Sequence, residues 1–468
     1  MLSVKLIISK KIHTLSKNRL AWRFLFTGGF FFLAAMQGFG QDNSPYSRYG
    51  LGDIVPSTNV INRGMGGISA AYSDPLSINF NNPASYSSFQ AFLEEKSKKV
   101  KAGRVLLDVG MNFENRTLRT VNPPQKFTAS NALFSYVQVG VPIKHNWGIS
   151  FGLKPVSRIS YKIVRNELLF DPNSNLPIDS ALTEFAGNGG TYLASFGTGV
   201  AIKNLSIGGT FGYLFGNKEY STKRALRNDS VSYNNANRTT QTSFGNLYFN
   251  GGAQYKIALN KTTALRLGVF GSLKNTMSAS QDIINETFIR NADNGDLRID
   301  SVYDQKNIKG EVVYPSSYGA GFVIEKAQSL KEGGWLLGVD YVQNKWSEYR
   351  FFSAKDAVQD NWEVRIGGQL RPKPTKNYWS NVAYRAGFSF GPDYVNMQEE
   401  LPRLGVSVGL GLPLANYNRL SPDQFSIINV ALEYNKRGNN DNLLKENLFR
   451  VSVGLSFSDL WFRKRKYE

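Results

Sequence analysis

From about residue 103 to residue 458 the chain alternates one apolar residue with one small or polar residue, run after run. In WGISFGLK, Trp147, Ile149, Phe151 and Leu153 alternate with Gly148, Ser150, Gly152 and Lys154. In GVSVGLGL, Val406, Val408, Leu410 and Leu412 alternate with Gly405, Ser407, Gly409 and Gly411, and in RVSVGLSFS the apolar row is Val451, Val453, Leu455 and Phe457. Successive side chains of a strand point to opposite faces, so each run predicts a strand with one greasy wall and one small or polar wall. About fourteen such runs lie between residues 104 and 458. Their links are tight at IKHN, at Lys203 and Asn204 and near Lys261, and long and polar at about 164–190, 217–240 and 290–312. GNGG, Gly187 to Gly190, reads as glycines of a loop.

Alternation alone suits a soluble sandwich with its apolar walls turned inward as well as a barrel with them turned outward. Two features select the barrel. The weakly apolar walls are rich in Gly and Ser (44 Gly in all), while aromatic residues gather near the run ends at Trp335, Tyr341, Trp346, Tyr349, Trp362, Tyr378 and Trp379, as in the girdles at lipid interfaces. Short links also alternate with long ones, as periplasmic turns alternate with extracellular loops. The prediction is an all-β fold: a transmembrane antiparallel up-and-down β-barrel of about 14 strands over residues 103–458. Its last strand, RVSVGLSFS, pairs with the first near VLLDVGMNF, because an open edge in lipid leaves backbone groups without partners. The long links face the outside of the cell, and both chain ends face the periplasm.

Residues 1–40 carry Lys5, Lys10, Lys11, Lys17, Arg19 and Arg23 without an acid, then FLFTGGFFFLAAM and QGFGQ, the pattern of a secretory signal peptide cut at Gly40/Gln41. Residues 41–102 remain between signal and barrel. SINFNNPASYSSF, Ser77 to Phe89, is neither helix-like nor strand-like, because Asn competes for the backbone and Pro removes a donor. With SPYSRYGLGD and RGMGGISAAYSDP before it, this stretch predicts a hatch or plug inside the lumen, where protein satisfies irregular backbone. A periplasmic arm is the alternative. Residues 459–468, in DLWFRKRKYE, read as a basic periplasmic tail. The formal charge is +19, of which +6 lies in the signal, leaving +13 for contact with phosphate-bearing outer-membrane lipids and lipopolysaccharide. Export argues against nucleic acid as a partner, and 0 Cys excludes disulfides and a lipidated cysteine.

The GMGGISAAYSDP run followed by Asn82, Pro83 and Ala84, ahead of about fourteen strand-like segments, resembles the outer-membrane transporters of long-chain fatty acids and aromatic hydrocarbons. This is the FadL/TodX family, here in a divergent Bacteroidetes branch that includes barrel subunits of the type IX secretion system. The resemblance implies a fourteen-stranded barrel closed by a hatch holding Asn82, Pro83, Ala84, Gly64, Gly66 and Gly67, with hydrophobic substrate bound in the lumen. It also implies a sideways exit by a kinked third strand. Pro155 falls in that strand, and since proline cannot donate to the ladder it marks either a lateral gate or a simple bend. Phe134 and Tyr136 are the candidate lumen contacts for a ligand, in a register that a slip of one residue would reverse.

The chain carries little that enzyme chemistry needs. Of 2 His, His13 lies in the signal and His145 in a predicted turn, so no Ser/His/Asp arrangement or His/Cys metal cluster is expected. Glu94 with Glu95 and Glu399 with Glu400 are acidic pairs of the kind that calcium uses, more often simply solvated. No enzyme activity, metal or cofactor is predicted. Two functions remain open: passive transport of a hydrophobic small molecule, as the resemblance implies, or service as a barrel subunit or adaptor in a larger outer-membrane complex for secretion or assembly.

Overall fold

The computed structural model describes residues 44–93, 100–120, 123–170, 173–175, 177–227, 234–291, 295–397, 400–414 and 425–461. The expected signal peptide, Glu94, Glu95, Glu399 and residues 462–468 of the expected tail lie outside the described residues. Asp459, Leu460 and Trp461 are still strand, so the barrel runs past the boundary expected at residue 458.

Fourteen antiparallel strands close into one barrel. They are β1 Val100–Thr120, β2 Gln125–Lys144, β3 Trp147–Phe170, β4 Pro177–Ile202, β5 Leu205–Arg227 and β6 Asn235–Ala258. Two broken strands follow, β7 as Thr263–Ser272 and Asn275–Asn291, and β8 as Gly295–Tyr314 and Ser317–Lys326. The rest are β9 Gly334–Asn344, β10 Asn361–Arg371, β11 Ala383–Pro392, β12 Pro402–Leu414, β13 Phe425–Arg437 and β14 Leu444–Trp461. Each pairs with the next, and β14 returns to β1 with Leu444 opposite Thr120 and Trp461 opposite Gly103. Among the described residues the ladder runs unbroken around the barrel, and β2 and β3 part above Val137 and Leu153, as described below.

The greasy walls point outward. Val408 is 50% exposed while Ser407, its neighbour on β12, is 6% exposed, and Phe249 and Leu337 are exposed in the same way. A closed barrel with apolar side chains outside is a barrel of the outer membrane. Trp335 and Trp379 sit towards the tight-turn end and Tyr341 with Trp362, stacked at 6.5 Å, towards the other, in line with two girdles. Trp346 and Tyr349 depart from that expectation. They lie in the link between β9 and β10, which folds back inward, and both are buried against Tyr46, Leu51 and Tyr394.

The tight links lie where they were expected, but the long polar insertions are not loops. β3 and β4 remain paired up to Phe170 opposite Pro177, and β6, β7 and β8 continue together to Phe288 opposite Asn235 and Asn291 opposite Gly295. These tops lack a lipid-facing apolar wall by which alternation could reveal them, most plainly at 296–310, which is exposed on both faces. Gly187 to Gly190 accordingly lies inside β4.

Candidate functional site

Residues 44–93 fill the lumen with little regular structure: a 3-10 turn at Pro45–Arg48, a two-residue strand at Asp53–Ile54, helix α1 at Val60–Arg63, a second 3-10 turn at Pro83–Ser88 and a short strand at Ala91–Leu93. The last of these pairs with β1, linking the lumen segment to the wall. Met65, Ile68, Ala70, Ala71 and Ile78 are fully buried.

The inner wall explains why so much of this sequence is glycine. Gly148, Gly199, Gly208 and Gly252 are consecutive cross-strand neighbours on β3 to β6, and Gly338, Gly367 and Gly387 form a second row on β9 to β11. Asn82, Pro83 and Ala84 rest on the first row. The Asn82 side chain accepts from the Ala84 amide at 3.1 Å, capping the Pro83–Ser88 turn, and donates to the Ala70 carbonyl at 2.6 Å and to the Val269 carbonyl of the wall at 3.1 Å. A Cβ at Gly208 would collide with the backbone of Pro83 and Ala84, and one at Gly252 with the Asn82 side chain.

Gly64, Gly66 and Gly67 rest on the second row and its neighbour β12. Gly66 has φ +66° and Gly67 φ +86°, a backbone that L side chains resist, and the Gly66 amide donates to Ser407 Oγ at 2.9 Å. Gly387 faces the Met65 and Gly66 backbone with no room for a methyl group. Thus the six residues expected in the hatch all lie against the inner wall, each group seated on its own glycine row, and the two motifs are joined by hydrogen bonds from Asn79, Asn81 and Asn82 to Ser69, Ala70 and Tyr72.

Two side chains not singled out from the sequence hold this segment in place. Arg63, 3% exposed, donates to the Thr58 carbonyl at 2.9 Å, the Pro56 carbonyl at 3.2 Å, Asn112 Oδ1 at 2.6 Å and Ser135 Oγ at 2.7 Å. Asp340, on β9, accepts from the Ser69 amide at 2.5 Å and the Ala70 amide at 2.8 Å. The signal for Asp340 was present, since it is an acid on the inward wall of an otherwise apolar-and-glycine strand. At Asp74, burial alone would push the carboxyl up, but the Arg371 guanidinium and the Leu76 amide hold it below its ordinary value.

Tyr136 and Phe134, expected together in the lumen, part company. A bulge on β2 leaves Ser135 without a partner on β1, so Tyr136 stands opposite Gly110 and Phe134 opposite Met111. Tyr136 points inward, where its hydroxyl accepts from the Val60 amide at 3.2 Å and its ring lies 5.1 Å from Phe80. It contacts the lumen segment. Phe134 faces outward at 40% exposure and is not a lumen residue, which corrects the expectation.

Pro155 sits where β2 and β3 part and the wall forks. Pairing of β2 with β3 stops at Val137 opposite Leu153, and directly above it a bulge follows Pro155. From there the edge of β3 pairs instead with the lumen segment: Asp53 opposite Arg158, Ile54 opposite Ser157, the Val55 amide donating to the Val156 carbonyl at 3.0 Å and the Ser44 amide to the Ser160 carbonyl at 3.1 Å. Behind the fork lies a cavity of about 220 Å³ lined by Lys154, Pro155, Phe80, Arg63 and Tyr314 among others. Leu214, Trp346 and Tyr394 in its lining belong to the apolar cluster that also holds Tyr46 and Leu51. His145 is exposed in the tight turn between β2 and β3. Among the described residues no cluster of His, Asp and Glu is placed to hold a metal.

Comparison with known proteins adds the following. No curated protein sequence matches the chain. Among solved structures it is similar to the CymD monoaromatic hydrocarbon channel (15% identity, 88% of this chain and 99% of that one, TM-score 0.49) and to a Pseudomonas aeruginosa FadL homologue (12%, 88% and 100%, 0.48). It is also similar to the P. putida toluene transporter TodX (13%, 86% and 99%, 0.47). The family model BamG matches residues 24–468, the whole barrel and the lumen segment with it, and the chain therefore belongs to the BamG family.

Proposed function

We propose that this chain is a hatch-closed outer-membrane barrel that serves as a subunit of a larger outer-membrane machine for secretion or assembly. The observation that carries this reading is the fixed plug. Residues 44–93 would act as the hatch, their backbone seated on glycine rows and tied to β1, β2, β9 and β12 through Arg63, Asp340 and Ser407. Meanwhile the tall side of the barrel, β3 to β8, offers a large surface above the membrane. The BamG match, with its hint of an assembly-related role, points the same way. Outer-membrane lipids and lipopolysaccharide surround the apolar wall. The test is affinity purification of the mature protein in mild detergent followed by native mass spectrometry. A stoichiometric complex with other outer-membrane proteins is expected, and a lone barrel carrying an apolar small molecule would overturn the proposal.

A second reading, passive transport of a hydrophobic small molecule such as a long-chain fatty acid or aromatic hydrocarbon, has the fork in its favour. Pro155 would then be the lateral gate and residues 44–55 its seal, with the cavity behind it as the resting place of the substrate. The charged lining speaks against it, because binding cavities for apolar ligands carry few polar groups.

A further inference from the structure

We infer that the cavity behind the fork is a binding site for a phosphate-bearing anion, with Lys154 as its principal contact. The cavity is lined by five cations, Arg63, Lys154, Arg365, Arg403 and Arg450, against two acids, Glu363 and Glu433. Both acids are already engaged: Arg365 pairs with Glu363 at 2.6 Å and Arg450 with Glu433 at 3.0 Å. Three cations are left. Arg63 bonds only to neutral oxygens, although Glu433 and Glu114 lie near enough to attract it, and Arg403 is near Glu363 and Asp53 without an ion pair, whereas among the described residues Lys154 has no carboxylate within ion-pair distance. The partners of Lys154 are the Ser57 carbonyl at 3.5 Å and the Phe80 ring, 4.6 Å from Nζ, neither of which neutralises an ammonium. Arg63 is close enough to Lys154 to repel it.

A charge removed from bulk water without counter-charge is costly, and an anion entering the cavity relieves that cost at Lys154 and adds to the partial compensation of Arg63 beside it. A phosphate suits a lining with Lys154 unpaired and Arg63 and Arg403 outside direct ion pairs better than a carboxylate does, because it has more acceptor oxygens and carries up to two charges. Phosphate can arrive free or as the headgroup of a lipid. Lys154 adjoins Pro155 at the fork, so a lipid could keep its acyl chains outside the wall while its headgroup reaches the cation. This inference is independent of membership in a complex, since it concerns the isolated chain.

The test is calorimetric titration of the detergent-purified full chain with inorganic phosphate, dodecyl phosphate and dodecanol. Binding of both phosphate probes supports a free-phosphate site, and binding of dodecyl phosphate alone supports a lipid headgroup. In either case Lys154→Gln weakens binding by about tenfold or more, the loss of one charge-assisted hydrogen bond. Lys154→Arg retains binding, and Lys126→Gln, on the exposed top of β2, leaves it unchanged. Dodecanol binding as tightly as dodecyl phosphate, no binding of either phosphate probe, or full binding by Lys154→Gln would each overturn the inference. The comparison of probes on the unmodified chain decides the matter even where Lys154→Gln fails to fold.

Discussion

Arg63 shows how much one side chain can decide inside a barrel. Its guanidinium fork reaches two carbonyls of its own segment and three polar side chains on β1, β2 and β14. Replacing it with Met leaves the Thr58 and Pro56 carbonyls without that donor, at about 1–3 kcal/mol each where they cannot relax, while Asn112 and Ser452 keep their bond to each other. The expected cost is about 3 kcal/mol, seen as a lower midpoint for the heat-induced gel shift of the folded barrel, with Arg63→Lys recovering only part of it because an ammonium cannot fork. Asp74 sets a pH limit on the same segment. Its folded pKa is depressed, so its pairing with Arg371 contributes stability that is present above the ordinary carboxylate range and lost as pH falls through the folded value. Proteolysis within residues 44–93 is therefore expected to stay constant at neutral and mildly acidic pH and to rise only in strong acid, and Asp74→Asn is expected to abolish that rise. At this scale the sequence was only partly legible. Tyr136 and Phe134 share a parity in the chain, and only the bulge at Ser135, which no residue type announces, turns one inward and the other outward.

The glycine rows belong to the scale of elements, since each glycine matters by what its neighbours on adjacent strands also lack. A valine at Gly208 would drive its side chain into the Pro83 and Ala84 backbone, while the β5 ladder could still form. Gly208→Val is expected to give a barrel that assembles but whose lumen segment is cleaved by added protease, whereas Gly251→Val, with open space around its Cβ position, is expected to behave like the unmodified chain. The strands were legible because lipid on one side and a packed plug on the other impose opposite demands on alternating positions. That is why WGISFGLK, GVSVGLGL and RVSVGLSFS all read correctly. Where neither face meets lipid or plug, as at 295–310, the pattern vanished and strand was taken for loop. The fork was half legible: Pro155 flagged an interruption, but nothing local says that Asp53 and Ile54, about a hundred residues earlier, take over the edge. Pro155→Val restores a donor to β3, and if the fork is a gate, uptake of a hydrophobic substrate is expected to fall. Unchanged uptake disposes of the gate.

At the scale of the whole molecule the barrel is lopsided, and the proposed role in a complex can be tested at its tall side. β9 ends at Asn344, so above Ser317 the outer edge of β8 faces only the two-residue strand Arg350–Phe351, opposite Val312 and Val313. Among the described residues no other strand covers it. A free edge is a template for pairing, and proteins usually blunt it with charge or bulges. Here the bulges exist, and the residues of β8 that the register with β7 skips are Lys306 and Asn307 at one bulge but Ile299 and Val302 at the two others, Val302 being 71% exposed, with Leu297 exposed nearby. Apolar side chains at an unpaired edge above the membrane, on a barrel whose lumen is plugged, fit a protein surface better than a solvent-facing one. Replacing Leu297, Ile299 and Val302 together with Ser touches neither the membrane-facing wall nor the lumen segment. The heat-induced gel shift of the barrel is therefore expected to stay where it is, while co-purification of partner proteins in mild detergent drops at least several-fold. Retention of the same partners by the triple variant would mean that the tall wall is not the docking face, and the search would move to the opposite end of the barrel.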